Sequence, residues 1–154
     1  MRYELWTVFP WPLEYLNPLD KVTAMNHPFA DLIGLVFESV HQGRSLCRIE
    51  VADKLLNPHG VVHGSVLSAL ADTGMGGALY PLLAENESCA TIEIKISYFK
   101  PVQGGTLECT TQLLHKGKSM ACLESEIFSG NELVAKASGT YSIFRPQKHL
   151  KIKV

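Results

Sequence analysis

The chain lacks several features that would fix its class at once. Its four cysteines, Cys47, Cys89, Cys109 and Cys122, show no Cys-x-x-Cys spacing. They read as reduced packing thiols in a cytosolic core rather than as a metal motif or a disulfide framework. No run of lysine or arginine occurs before the last few residues, and the formal net charge is -1. A nucleic acid or a membrane surface is therefore not expected as the main partner, whereas a small molecule is. Nothing approaches the roughly 18 consecutive apolar residues of a membrane span. The apolar segment Leu5–Leu13 is interrupted by Pro10 and Pro12, precedes Glu14 and Asp20, and offers no small-residue cleavage site. It is not read as a signal segment, and a soluble, cytoplasmic protein is expected. No internal repeat or low-complexity stretch is present.

What is there suits one domain. At 154 residues the chain can bury roughly 70% of the surface its unfolded form exposes. Residues 1–25, rich in aromatics, read as an arm that packs on the body or on a second subunit; 26–146 form the body and 147–154 an exposed tail. Asn26-His27-Pro28 to Leu32, closed by Gly34, predicts a short helix with proline at its first position and glycine at its end. Leu35 to Val40 and Leu46 to Val51 predict strands around a Gln42-Gly43 turn. Thr91 to Phe99 alternates, with Ile92, Ile94, Ile96 and Tyr98 on one face and Thr91, Glu93, Lys95 and Ser97 on the other, as a half-buried strand does. Leu107 to His115, Ser119 to Phe128 and Leu133 to Phe144 follow as strands, separated by Lys116-Gly117-Lys118 and Ser129-Gly130-Asn131.

The segment between these two groups of strands carries the chemistry. A polar loop, Asn57-Pro58-His59-Gly60-Val61-Val62-His63-Gly64-Ser65, runs into a helix from Val66 to Tyr80 that is apolar or small on every face. Such a helix is expected to be buried. Between His63 and Glu85 its only Asp, Glu, Lys or Arg is Asp72, and a carboxylate on a buried helix needs a structural partner or a chemical task. The order of elements predicts an α+β fold in which an antiparallel sheet of five to six strands curls around one long buried helix.

From about residue 27 to residue 144 the chain resembles the hotdog-fold acyl-CoA thioesterases of the phenylacetate-degradation (PaaI-like) type, related to hydroxybenzoyl-CoA thioesterases. The family pattern Asn-x-x-Gly-x-x-His-Gly-Gly, followed by a short spacer and an acid, is matched by Asn57, Gly60, His63, Gly64 and Asp72. Thr91 to Tyr98 followed by Pro101, and Gly117-Lys118 after His115, resemble the family's later strands. The resemblance implies hydrolysis of an acyl-CoA thioester by a homodimer or by a tetramer built as a dimer of dimers, without cofactor or metal.

Thioester hydrolysis needs donors for the developing oxyanion and a carboxylate that activates water or attacks the carbonyl itself. The amides near Gly64 and Ser65, at the helix N-terminus, suit the first task, and glycine allows close approach to the backbone. Asp72 suits the second, with a partnered structural carboxylate as its alternative. Eight residues of helix separate them by about 12 Å, too far to share one carbonyl, unless two antiparallel copies of the helix bring Gly64 of one chain to Asp72 of the other.

The remaining candidates each carry two readings. Asn57 shapes the turn before Pro58 or, as the resemblance implies, orients the water or the carbonyl. His63 enters the helix as a loop-bonding residue or supports the oxyanion site. Ser65 replaces the family's second glycine and reads as an N-cap, which leaves open whether its amide or that of Gly64 is the better donor; no strained Gly-x-Ser-x-Gly turn marks it as a nucleophile. Thr91 is a strand residue or a hydroxyl near the reacting water. Tyr98, Lys100, His115, Lys116, Gly117, Lys118 and Ser119 are candidates for substrate binding, the lysines by holding coenzyme A phosphates or else simply solvated. His59 and His63 have the spacing of a zinc pair but lie in a loop with no third ligand nearby. Gly74, Gly76, Gly77 and Ala78 leave room for an acyl group or serve close packing. Rival functions on the same fold are a hydratase or dehydratase and a non-catalytic acyl-CoA-binding protein.

Overall fold

The computed structural model describes residues 26–146 together with Val22; the expected tail (147–154) and, Val22 apart, the expected arm (1–25) lie outside the described residues. The body runs α1 (Pro28–Ile33), β1 (Leu35–His41), β2 (Arg44–Glu50), α2 (Gly64–Leu79), β3 (Ser88–Tyr98), β4 (Thr106–Lys116), β5 (Met120–Ser129) and β6 (Glu132–Phe144), with single 3-10 turns at Asp53–Leu55 and Tyr80–Leu82. The strands form one sheet in the order β1-β2-β4-β5-β6-β3, each neighbouring pair antiparallel. α2 touches all six strands, so the sheet wraps it, giving the α+β hotdog architecture.

Local chemistry sets the element ends. Pro28 opens α1, whose first amides are capped by His27 Nδ1 accepting from Ala30 N at 3.0 Å, and Gly34 closes it in the left-handed conformation at φ 72. Gln42 and Gly43 both have positive φ, 38 and 82, the geometry of the two-residue turn whose twist matches a hairpin.

α2 packs on the sheet through Leu70, Ala71, Met75, Ala78 and Leu79, all fully buried with Ile49, Leu107, Leu123 and Ile127. Each large side chain among them contributes roughly 1.5–3 kcal/mol relative to exposure. Gly74 and Gly77 serve close packing: a Cβ on Gly74 would lie 2.9 Å from Thr111 Oγ1, and one on Gly77 would lie 2.4 Å from the Phe37 ring. Gly76 meets nothing within 4 Å.

That difference exposes a one-sided helix. Ser65 is exposed and Ser68, Ala69, Asp72, Thr73 and Gly76 are half-buried, a stripe at helical spacing. Burial on every face was expected from composition; one sheet covers only one side, and the small and polar residues of the stripe face away from it. Cys47 and Cys109 stand opposite each other across β2 and β4, fully buried, whereas Cys89 and Cys122 are half-buried, and all four are free thiols. Contact with Cys109 and burial together hold the Cys47 thiol well above its ordinary value.

β3 departs from simple alternation. Its register with β6 slips between Thr91 and Glu93, so Ile92 is the extra residue of a β-bulge and is 56% exposed. The bulge reverses the side-chain parity. Thr91 therefore turns toward α2 with Ile94, Ile96 and Tyr98, rather than away from them as strict alternation predicts. Among the described residues β3 is also an edge strand, with β6 as its one neighbour in the sheet.

Candidate active site

The loop ahead of α2 is a small hairpin closed by its own polar groups. Asn57 N donates to Val61 O at 2.7 Å and Gly60 N to Asn57 O at 2.9 Å, with Gly60 at φ 73. Asn57 Oδ1 accepts from His59 N at 2.9 Å, an Asx turn of the kind this residue favours. Val62 N then donates to Val102 O at 2.7 Å and His63 N to Leu55 O at 2.9 Å, which anchors the entry to the helix.

The N-cap is His63, not Ser65. His63 has extended backbone and its Nδ1 accepts from Ser65 N at 3.1 Å; Ser65 already lies inside the helix, and its Oγ is 2.7 Å from the same ring nitrogen. A ring nitrogen placed two residues ahead of Ser65 reaches its amide as a serine hydroxyl reaches from the usual cap position. Because Nδ1 accepts the amide proton, the neutral ring carries its own proton on Nε2. Tyr98 reaches this end from β3: its hydroxyl donates to Gly64 O at 3.2 Å and lies 2.7 Å from Ser68 Oγ. A groove of about 290 Å³ runs past this end, lined by Val62, Gly64, Leu67, Tyr98, Lys100 and Val102 among others.

Asp72 occupies a different cluster, two turns along the helix. Its Oδ1 accepts from Thr91 Oγ1 at 2.8 Å and from Tyr141 OH at 2.5 Å, and the tyrosine hydroxyl is also 2.8 Å from Asp72 O. No salt bridge to Asp72 forms among the described residues. Burial, followed by the hydrogen bond to Asp72, pushes the Tyr141 phenol far above its ordinary value. Burial and then the charge of Asp72 also raise the thiol of Cys89. Sequence reading missed both neighbours. The signal for Tyr141 was present: Ala135, Ala137, Gly139, Tyr141 and Ile143 form the buried face of β6, and Tyr141 is its one residue with a hydroxyl.

The candidate residues thus fall at two ends of the described body. A cross-strand row runs Lys116, Ala121, Tyr141, Thr91, so the β4–β5 hairpin carrying His115, Lys116, Gly117, Lys118 and Ser119 stands at the Asp72 end. There Gly117 N donates to Met120 O at 2.8 Å and Ile143 N to Ser119 O at 2.8 Å, while Lys116 and Lys118 are exposed. Asn57, His63, Gly64, Ser65, Tyr98 and Lys100 belong to the other end. The Lys100 ammonium pairs with Glu132 at the surface. No cluster of His, Cys, Asp and Glu suited to a metal occurs among the described residues, and none of their helices is long and apolar enough to cross a membrane.

Comparison with known proteins places these residues in context. A family model described as the thioesterase superfamily matches residues 59–136, which include His59, His63, Gly64, Asp72, Thr91 and the β4–β5 hairpin. The acyl-coenzyme A thioesterase PaaI of Escherichia coli strain K12 is 27% identical over 125 residues, covering 80% of this chain and 83% of its own. The 1,4-dihydroxy-2-naphthoyl-CoA hydrolase of Listeria monocytogenes is 28% identical over 102 residues, 66% of this chain and 83% of that one. The solved structure of conserved protein PA5202 from Pseudomonas aeruginosa superimposes with a TM-score of 0.76 at 33% identity, covering 79% of this chain and 98% of that one.

Proposed function

The chain belongs to the thioesterase superfamily, and from that membership we propose that it hydrolyses an acyl-CoA thioester at a site built by two copies of itself. The observation that carries this reading is the separation of Asp72 from the helix N-terminus by about 12 Å, with each group set in its own cluster.

Two open surfaces support the pairing. β3 presents an edge 11 residues long, and α2 presents its uncovered stripe of small and polar residues beside it. Unpaired edges of this length invite strand addition. Gly64 lies against Tyr98 and Asp72 against Thr91, so α2 and β3 run in opposite directions. Pairing β3 antiparallel with its copy across a two-fold axis sets the Tyr98 end of one chain beside the Thr91 end of the other. Gly64 of one chain then meets Asp72 of its partner, twice per dimer.

In that site the thioester carbonyl enters along the groove and accepts from the Gly64 amide at the start of α2, next to the Ser65 amide that His63 caps, where the helix dipole favours negative charge. The carboxylate of Asp72 from the other chain either removes a proton from the attacking water or attacks the carbonyl carbon. In the water route the oxygen adds to that carbon, the tetrahedral oxyanion collapses, and the carbon–sulfur bond breaks to give a carboxylic acid and the thiol of coenzyme A. The exposed lysines of the β4–β5 hairpin, at the Asp72 end, hold the coenzyme's phosphates. A screen of short, medium, long and aromatic acyl-CoAs for thiol release tests the reading. Release from a saturated acyl-CoA supports it, and no release from any member of the set overturns it.

A further inference from the structure

We propose that Tyr141 is a positioning residue that, together with Thr91, fixes Oδ1 of Asp72 and leaves Oδ2 as the oxygen that meets water or the thioester. This rests on the reading of Asp72 as the reacting carboxylate. A carboxylate on a helix has a free χ1 and χ2, and its two oxygens are equivalent until something distinguishes them. Here two hydroxyls converge on the same oxygen, Thr91 Oγ1 at 2.8 Å and Tyr141 OH at 2.5 Å.

The sheet brings these two hydroxyls together. Thr91 and Tyr141 are direct cross-strand partners, and the bulge at Ile92 keeps Thr91 turned toward the helix. The tyrosine is held as firmly as the sheet itself. It is 3% exposed, and its ring packs over Gly139, where an added Cβ would lie 3.3 Å from Tyr141 Cε2 and 2.6 Å from Met75 Sδ. The phenol has one proton to give; the charged oxygen is a better acceptor than the carbonyl of Asp72, which the same hydroxyl also touches at 2.8 Å. Tyr141 on β6 and Cys89 on β3, the titratable neighbours of the carboxylate among the described residues, are shifted toward their neutral, protonated forms. The phenol therefore remains a donor through the neutral range. With its ring enclosed and its proton engaged, Tyr141 acts through Asp72 and not on substrate.

The test is a cycle of variants assayed by thiol release from a saturating acyl-CoA, at high enzyme concentration for the weakest. Tyr141→Phe is expected to lower kcat about tenfold, as loss of a hydrogen bond to a charged group does, with KM within about twofold. The same change made in Asp72→Asn is expected to add no further loss, because the carboxylate it positions is gone. Thr91→Val should fall in the same direction, with Thr91→Ser recovering most of that loss; this pair carries the test if Tyr141→Phe fails to fold by thermal unfolding. An unchanged kcat in Tyr141→Phe, or an equal tenfold loss in the wild-type and Asp72→Asn backgrounds, would overturn the positioning role. If Asp72→Asn itself turns over like the wild type, the reading of Asp72 falls as well, which separates the two failures.

Discussion

Replacing Asp72 with asparagine separates charge from shape at the one ionisable residue of α2. Asparagine keeps an acceptor oxygen where Oδ1 stands, so Thr91 Oγ1 and Tyr141 OH retain a partner. What is lost is the charge assistance of those bonds, about half their strength, set against the cost of holding a half-buried carboxylate that no cation neutralises among the described residues. These oppose each other, and the net change in stability should be about 1 kcal/mol or less, a shift in Tm of roughly 2–4 °C for a chain of this size. Turnover has no such compensation. Removal of a general base or a carboxylate nucleophile costs roughly a hundredfold or more. The assay is steady-state thiol release alongside thermal unfolding and a sizing column. Wild-type turnover in a well-folded Asp72→Asn protein would refute the reasoning, and so would a loss of activity accompanied by loss of the fold.

Three further outcomes follow from particular contacts. Lys118→Ala should raise KM for acyl-CoA several-fold more than KM for an acyl-pantetheine lacking the nucleotide phosphates; equal effects would mean that this exposed lysine is only solvated. Gly64→Ala places a methyl 3.3 Å from the half-exposed Tyr98 ring, a clash the ring can relieve, so Tm should hold while kcat falls about tenfold or more because the methyl stands where the carbonyl approaches. Tyr141, whose folded-state value lies above its unfolded one, leaves stability whole below about pH 10 and lowers it as pH rises beyond that point, by up to about 1.4 kcal/mol per pH unit. Denaturant titrations from pH 8 to 11 should show that alkaline slope reduced in Tyr141→Phe; identical slopes would contradict it.

Much of the fold was legible because it rests on local chemistry. Pro28 and Gly34 bracket α1, the Gln42-Gly43 turn joins β1 and β2, and alternation in the last three strands places their boundaries within a residue or two of those observed. The features that escaped depend on contacts between distant segments. The bulge at Ile92 is set by pairing with β6, and it decides that Thr91 rather than Ile92 turns toward the helix. His63 displaces Ser65 as the cap because the strand-like entry, pinned to Leu55 and Val102, sets the ring beside the first amides. Lys100 pairs with Glu132, 32 positions away. The uncovered stripe of α2 is hidden from composition for a similar reason, since Ser65, Ser68, Thr73 and Gly76 are small enough to sit either against a sheet or against another helix.

The shared site is the central claim, and subunit mixing tests it most directly. Asp72→Asn removes the carboxylate at one end of the protomer, and Gly64→Val blocks the helix N-terminus at the other, each leaving a homodimer with no intact site. If the site joins the two ends from different chains, a mixed dimer holds one intact site and one doubly damaged site. Random pairing of equal amounts makes half the dimers mixed, so about a quarter of wild-type activity per total sites should return. The subunits are co-expressed with different tags, the mixed dimers are isolated through both tags, and thiol release is measured. Recovery near half of wild-type activity in the isolated mixed dimers is the predicted result, and no recovery in confirmed mixed dimers would contradict a site shared between chains.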